Sequence, residues 1–260
     1  MSILDKIIEA EKDLVTQNKK EIVRFISESQ YMDRSAFSLR KALLESPNFG
    51  IISEFKRQSP SKGIINAHSD IKETTMGYEK NGAAALSILT NKQFFGGETA
   101  DVLATRPSVN IPILRKEFIV HEIQIEEAKA MGADVILLIA ACLSKREVHA
   151  FAKRAKDLGL EVLMEVHSRE ELDKTSPYLD VIGVNNRNLK TFTVDIQNSL
   201  DLFPYISNDF VKISESGISH ADAIVKLWKA GFKGFLVGEQ FMKTEAPPLA
   251  LKSLINELSL

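Results

Sequence analysis

The feature that most constrains this chain is a repeated pattern rather than a repeated word. Short apolar runs begin near Ile51, Ala84, Ile111, Asp134, Glu161, Val181, Val211 and Gly234. Their spacing averages about 26 residues, inside the range where repeated supersecondary units show themselves. Between them the apolar residues fall at helical spacing over Ile71–Asn81, Glu98–Arg106, His121–Met131, Lys145–Leu158, Arg169–Ser176, Ile196–Phe203, Ala221–Ala230 and Pro248–Leu258. Strands that alternate with helices at this distance form βαβ units and a parallel sheet. Eight such units predict an α/β fold, a single closed (β/α)8 TIM barrel. An open doubly wound sheet is the competing arrangement. Its first strand usually runs into a glycine-rich dinucleotide turn, whereas here it runs into Lys56-Arg57-Gln58-Ser59-Pro60-Ser61-Lys62-Gly63.

Residues 1–49 precede the first unit. Ile3, Ile7, Ile8, Leu14 and Val15 follow a helical stripe, and Phe37, Leu39, Leu43 and Leu44 do so more loosely. We read them as two or three extra helices packed on the barrel, ended by the turn Ser46-Pro47-Asn48. The barrel itself then occupies residues 50–260, and the whole is one structural domain.

The totals exclude several classes of function. A net charge of −2 has none of the basic excess of a nucleic-acid binder. The cluster Lys153, Arg154, Lys156 reads as a solvated helix face. The longest apolar run, VILLIAACL, is far below the ~18 residues that span a bilayer. The first fifteen residues carry acids throughout and no signal-peptide core. One cysteine, Cys142, allows no internal disulfide and fits a reducing compartment. We expect a soluble cytoplasmic protein with no nucleic-acid or membrane partner, a monomer or weak homodimer.

In a barrel the chemistry gathers where strands end, because side chains there point into the mouth. Six of the eight expected exits carry polar groups or glycines behind apolar residues. The first ends in Glu54 and Lys56, two apart and so on one face. Leu114, Lys116 and Phe118 share a face of the third. Glu165 closes the fifth, Asn185 and Arg187 the sixth, Glu215, Ser216 and Gly217 the seventh, and Gly238 the eighth. Two lysines and two or three carboxylates in a dry mouth make an acid/base set. We expect a partly desolvated lysine there to have its pKa pulled down, with a glutamate as the opposing base. The plainer reading is a ring of salt bridges that closes the barrel top. Ser216-Gly217 and Gly238 precede helix starts, where backbone N–H groups attract phosphate, and the loops after strands seven and eight commonly do so in such barrels. No metal site is expected, because His68, His121, His149, His167 and His220 are too widely spaced for a helical ligand pair. Cys142 follows strand four and reads as a small buried thiol.

The combination EFKRQSPSKG, FFGG, PILRKEFI, LMEV, IGVNNRNL, SESGI and LVGE resembles the indole-3-glycerol-phosphate synthase family over the whole chain. That resemblance implies closure of a pyrrole ring on a phosphorylated anthranilate derivative, with loss of carbon dioxide and water and without cofactor or metal. By the same resemblance Lys116 is the general acid that protonates the substrate ketone. Glu165 is its partner in dehydration, and Lys56 positions the substrate and assists proton transfer. Glu54, Asn185 and Glu215 form the polar frame. Ser59 and Arg187 contact substrate and phosphate, Ser216, Gly217 and Gly238 close around the phosphate, and Phe118, with Phe94 and Phe95, walls the aromatic ring. Arg57 to Gly63 are expected to form a mobile lid that carries Ser59 toward the phosphate. Glu239 stands where a serine would add a hydroxyl to the phosphate cradle; we expect its N–H to face the phosphate and its side chain to turn away. Read from the residues alone, a sugar-phosphate isomerase, a Schiff-base aldolase and a barrel that only binds a phosphorylated metabolite remain alternatives.

Overall fold

The computed structural model describes residues 2–189 and 191–258. The eight strands are β1 (Ile51–Phe55), β2 (Ala85–Leu89), β3 (Ile113–Lys116), β4 (Val135–Ile139), β5 (Glu161–Val166), β6 (Val181–Asn185), β7 (Val211–Glu215) and β8 (Gly234–Val237). Every pair is parallel and the sheet closes, β1 lying between β2 and β8. Each strand falls on one of the runs read from sequence. Around them lie α3 (Ile71–Lys80), α4 (Thr99–Thr105), α5 (Ile123–Ala130), α6 (Lys145–Asp157), α7 (Gln197–Leu202), α8 (Ala221–Ala230) and α9 (Pro247–Leu258). Ser144 starts α6 with a capping box to Glu147, the Ser-x-x-Glu signature of a helix start. The stretch 169–176 departs from the expected helix. It holds only a 3-10 turn, Glu170–Lys174. Pro177 forces the residue before it out of the helical region.

The period-2 alternation sorts the core in two. Ile52, Ala85, Leu114, Val135, Leu137, Ile139, Leu163, Val181, Val211, Ile213 and Leu236 fill the barrel interior. Their strand neighbours, such as Ile51, Ile113, Ile136 and Val162, pack outward beneath the helices. A helix α1 (Ile3–Glu28) and a short α2 (Leu39–Leu44) precede β1. Leu39 and Leu43, one helical turn apart, join the interior cluster and plug the barrel floor. Phe37 and Leu44, which share the sequence stripe, are exposed.

Polar residues also occupy the floor, at the opposite end from the polar strand exits. Asp134 is buried and accepts from Arg34 at 2.6 Å, Arg106 at 2.7 Å and the N–H groups of Phe37 and Ile113, both at 2.8 Å. Glu161 accepts from Ser38 at 2.5 Å and the N–H of Arg40 at 2.9 Å. Buried carboxylates survive only when paired and hydrogen-bonded, and here the N-terminal segment supplies several of the partners, with Arg106 and the Ile113 N–H completing the set around Asp134. Conserving the floor for structure and the opposite end for chemistry is the division of labour this architecture uses. No helix among the described residues is long and apolar enough to cross a membrane.

Candidate active site

The interior alternation ends in a polar layer. Counting upward from Ile52, Leu114, Leu163, Gly183 and Ile213, the next inward positions are Glu54, Lys116, Glu165, Asn185 and Glu215. They line one cavity of about 620 Å³, whose apolar lining includes Leu89, Leu137, Ile139 and Leu236. Lys56, Ser59, Arg187, Phe118, Ser216, Gly217, Gly238 and Glu239 line it too. Every site residue expected from sequence is therefore brought together, except that Phe94 does not line the cavity. Its N–H is taken up by Asn91 in a short turn at 3.0 Å. Phe95 does line it and stacks on Phe118, centroids 6.1 Å apart at 29°.

Lys116 is the centre. Its Nζ lies 3.4 Å from Glu165 Oε2 and 3.5 Å from Glu215 Oε2. Lys56 Nζ donates to Glu54 Oε1 at 2.7 Å, and Ser87 Oγ donates to Glu54 Oε2 at 3.4 Å. Asn185 Nδ2 donates to Glu165 Oε1 at 3.1 Å. Its Oδ1 accepts the Arg187 N–H at 2.9 Å, which fixes the amide's orientation. The neighbouring Asn186 points the other way and ties Ser214 and the carbonyl of Ser216.

These contacts set the charges. Burial pulls the Lys116 ammonium down, but Glu215, Glu165 and Glu54 outweigh it and hold the pKa above the ordinary lysine value. The expectation of a lowered lysine pKa is thus corrected: three carboxylates surround the cation, and no second cation dominates. Burial pushes Glu165 and Glu54 up, yet Lys116 and His167 bring the first below the usual carboxylate value, and Lys56 and Lys116 the second. Glu215 is different. Neither of its buried oxygens has a hydrogen bond, and burial lifts it to about 7 despite Lys116, with Glu165 and Glu54 adding to the rise. Carboxyls whose environments push their pKa values apart take different acid/base roles. Burial pushes the Cys142 thiol up to about 12; it lies beside Leu4, Ile8 and Lys12 of α1, outside the mouth cavity.

Two loops at the rim are shaped for close approach. Ser216 (φ 66) and Gly217 (φ 73) are both left-handed, an uncommon conformation for serine. A Cβ on Gly217 would come 2.4 Å from Val194. Gly238 caps the single turn Glu239–Met242 after β8. The segment after β1 is a two-stranded hairpin, Gln58–Ser59 with Gly63–Ile64. Arg57 is its anchor: the guanidinium grips Asp101 with two bonds, 2.6 and 2.8 Å, and reaches the Gly96 carbonyl at 3.0 Å. Ser59 Oγ is buried without a hydrogen-bond partner. Lys62 comes within 3.7 Å of the Glu239 carboxylate.

Sequence reasoning missed several contributors. Ile3, Leu4 and Ile7 of α1 line the cavity, so that helix covers the mouth as well as packing on the barrel. Ser87 faces inward two residues beyond Ala85, a position the alternation along β2 could have found. Gly183 gave no signal of its own, while His167, two residues beyond Glu165, continues the alternation along β5. Among the described residues no group of three His, Cys, Asp or Glu side chains is arranged to hold a metal ion.

Comparison with known proteins gives concordant results. The family model for indole-3-glycerol phosphate synthase matches residues 4–254. A protein of that name from Bacteroides thetaiotaomicron is 48% identical over 85% of each chain. Another from Carboxydothermus hydrogenoformans is 40% identical over 97% of this chain and 99% of its own. Among solved structures, a tryptophan synthase α-subunit from Pyrococcus furiosus matches 82% of this chain and 99% of its own, with a TM-score of 0.58 at 18% identity. A thiamine phosphate pyrophosphorylase from the same organism matches 85% and 98%, with a TM-score of 0.61 at 15% identity. At such identities the structural likeness concerns the fold.

Proposed function

The chain belongs to the indole-3-glycerol phosphate synthase family, and from that premise we propose how its mouth divides the chemistry. The reaction is the ring closure of 1-(2-carboxyphenylamino)-1-deoxyribulose 5-phosphate with loss of carbon dioxide and water, a carboxy-lyase step of tryptophan biosynthesis. Its first half joins the carboxyl-bearing ring carbon to the ketone carbon. The ketone oxygen gains a proton as that bond forms. The bond to the carboxylate then breaks, carbon dioxide leaves, and its electron pair restores the aromatic ring. In the second half the new hydroxyl departs as water, pushed by the nitrogen lone pair, and the adjacent carbon loses a proton.

Lys116 supplies the first proton. The observation that carries this reading is its position in the cavity, between Glu165 Oε2 at 3.4 Å and Glu215 Oε2 at 3.5 Å. Such a lysine is protonated at rest and has a carboxyl beside it, at about 7, to return the proton it spends. That return is needed, because decarboxylation consumes one proton overall. Glu165, held ionised, takes the carbon-bound proton in the dehydration. Lys56, braced by Glu54, faces the substrate carboxylate and assists proton transfer to the leaving hydroxyl. Asn185 orients Glu165. Phe118 and Phe95 form the wall for the aromatic ring.

The phosphate end is held by Ser59, Arg187 and the backbone of Ser216, Gly217, Gly238 and Glu239. Glu239 presents its N–H at a helix start while its carboxylate turns toward Lys62, which keeps like charges apart. The site is complete within one chain, in keeping with a monomer or weak homodimer, and its metabolite substrate suits a cytoplasmic location. Lys116→Ala tests the assignment. Loss of a general acid lowers kcat by roughly 10²-fold or more, with KM changed little, followed by the rise of indole fluorescence from purified protein and substrate. Near-normal turnover in that variant would remove Lys116 from the role.

A further inference from the structure

Beyond Glu165 the alternation continues for one more residue, so His167 lies on the same side of β5. There the chain turns into Glu170–Lys174, which brings Glu171 back over the imidazole. The Glu171 carboxylate accepts the His167 N–H at 2.7 Å and lies 3.4 Å from the ring Nδ1. The other ring nitrogen, Nε2, sits 3.3 Å from Glu165 Oε1. That nitrogen is buried, and its approach to Glu165 lacks the angle of a hydrogen bond, so the contact is one of charge. Asn198, in the first turn of α7, donates to the His167 carbonyl at 3.4 Å and fixes the backbone. The imidazole is therefore clamped between two carboxylates, its side chain only 11% exposed.

The chemistry of that clamp is specific. An ionised carboxylate can only accept hydrogen bonds, and a neutral imidazole has one nitrogen that cannot donate. With carboxylate oxygens at both nitrogens, one of them would face a lone pair unless the ring carries both protons. The other charged and titratable groups around the ring agree with this. Glu215 on β7 adds negative charge when it is ionised. The Lys116 ammonium lies on the far side of Glu165. Lys174 is turned away, its ammonium bound by the carbonyls of Ala140 and Leu143 at 2.6 and 2.9 Å. The Cys142 thiol is neutral. Burial pulls the imidazole down, but Glu171 and Glu165 outweigh it and hold the ring above its ordinary value.

We propose that His167 is a positioning residue of the reaction: as an imidazolium braced by Glu171, it holds the Glu165 carboxylate ionised and turned toward Lys116. This rests on Glu165 being the base of the dehydration. A residue that merely ended a strand would leave the pH dependence of turnover alone. His167 acts on the charge of Glu165, and so it sets the pH at which that base becomes available.

The experiment compares His167→Gln, His167→Leu and Glu165→Gln with the wild type, measuring kcat, KM and the acid limb of kcat against pH. Removing a cation this close to a carboxylate should move the acid limb up by about one pH unit in both His167 variants. His167→Leu should lower kcat by about tenfold or more with KM within threefold, as a displaced catalytic group does. His167→Gln keeps an N–H but no charge, so it should recover part of kcat and keep the shifted limb. Folded His167 variants with wild-type kcat and limb, beside an inactive Glu165→Gln, would overturn the inference and leave the Glu165 assignment standing. An active Glu165→Gln would overturn both. The charge has a separate readout in the wild-type enzyme: ring-nitrogen NMR, assigned by substituting the other histidines one at a time, should show His167 doubly protonated at pH 7. A neutral His167 ring there would overturn the inference whatever the variants do.

Discussion

Gly183 and Gly238 make room for carboxylates. A Cβ on Gly183 would come 2.2 Å from Glu215 Oε1, and one on Gly238 would come 2.4 Å from Glu54 Oε1. Both distances are too short for any side chain, so glycine at these points is what lets the two glutamates stand beside the lysines. Gly183→Ala should push Glu215 off Lys116 while costing the fold only about 1–3 kcal/mol of overpacking. We expect kcat to drop by up to roughly 10²-fold, the penalty of a misplaced group of about an ångström, with the barrel still folded by circular dichroism. Unchanged kcat would mean that the position of Glu215 is not critical. Neither glycine's job could be read from its neighbours in the chain, since the colliding atom comes from another strand. Glu54, Lys116, Glu165, Asn185 and Glu215 were readable because alternation alone fixes which way each points. The direction of the Lys116 pKa was not, because it depends on three carboxylates whose distances no pattern encodes.

The elements were largely visible in the repeat, and the exceptions have local causes. The pattern over 169–176 looks helical, but the chain between β5 and β6 forms only a 3-10 turn, fastened by Lys174 and stopped before Pro177. The hairpin after β1 looked like a loop with Arg57 in it. The structure makes Arg57 a fixed post, gripped by Asp101 and lying over the Phe55 ring at 4.7 Å. A lid needs such a post so that only its tip moves. Asp101→Asn removes the charge and one acceptor from a largely buried pair. Hydrogen bonds to charged groups contribute about 1.5–3 kcal/mol, so the global stability should fall by that order. The sharper readout is local. Proteolysis within residues 58–64 should quicken in the variant, and KM for the phosphorylated substrate should rise more than kcat falls. A variant with wild-type cleavage rate and KM would show that the hairpin is held by something other than Arg57.

At the scale of the whole molecule, the helices before the first strand are part of the barrel's working structure. Leu39 and Leu43 plug the floor, while α1 runs over the mouth and carries Glu11 into a buried polar cluster beside β3. There Asn91 Nδ2 donates both to Glu11 Oε2 at 2.8 Å and to Glu117 Oε1 at 3.2 Å, and Gln124 donates to Glu11 Oε1 at 3.0 Å. A sequence stripe of isoleucines and leucines shows that α1 packs, but a glutamate on its buried face reads as a surface residue until its partners are placed. Burial, with the nearby Glu117 charge, raises Glu11 from 4.5 to about 8. The sign follows from proton linkage. Between those two pH values the folded protein binds a proton that the unfolded chain has released, so stability is full below the lower value and is lost as pH rises toward the higher. Glu11→Gln removes that titration. Whatever the amide costs at pH 5, the stability of the variant relative to the wild type should improve steadily from pH 5 to pH 8.5, measured by urea denaturation at each pH. A difference that stays constant across that range would mean that Glu11 is ionised throughout, and that its amide partners and Arg115 outweigh its burial.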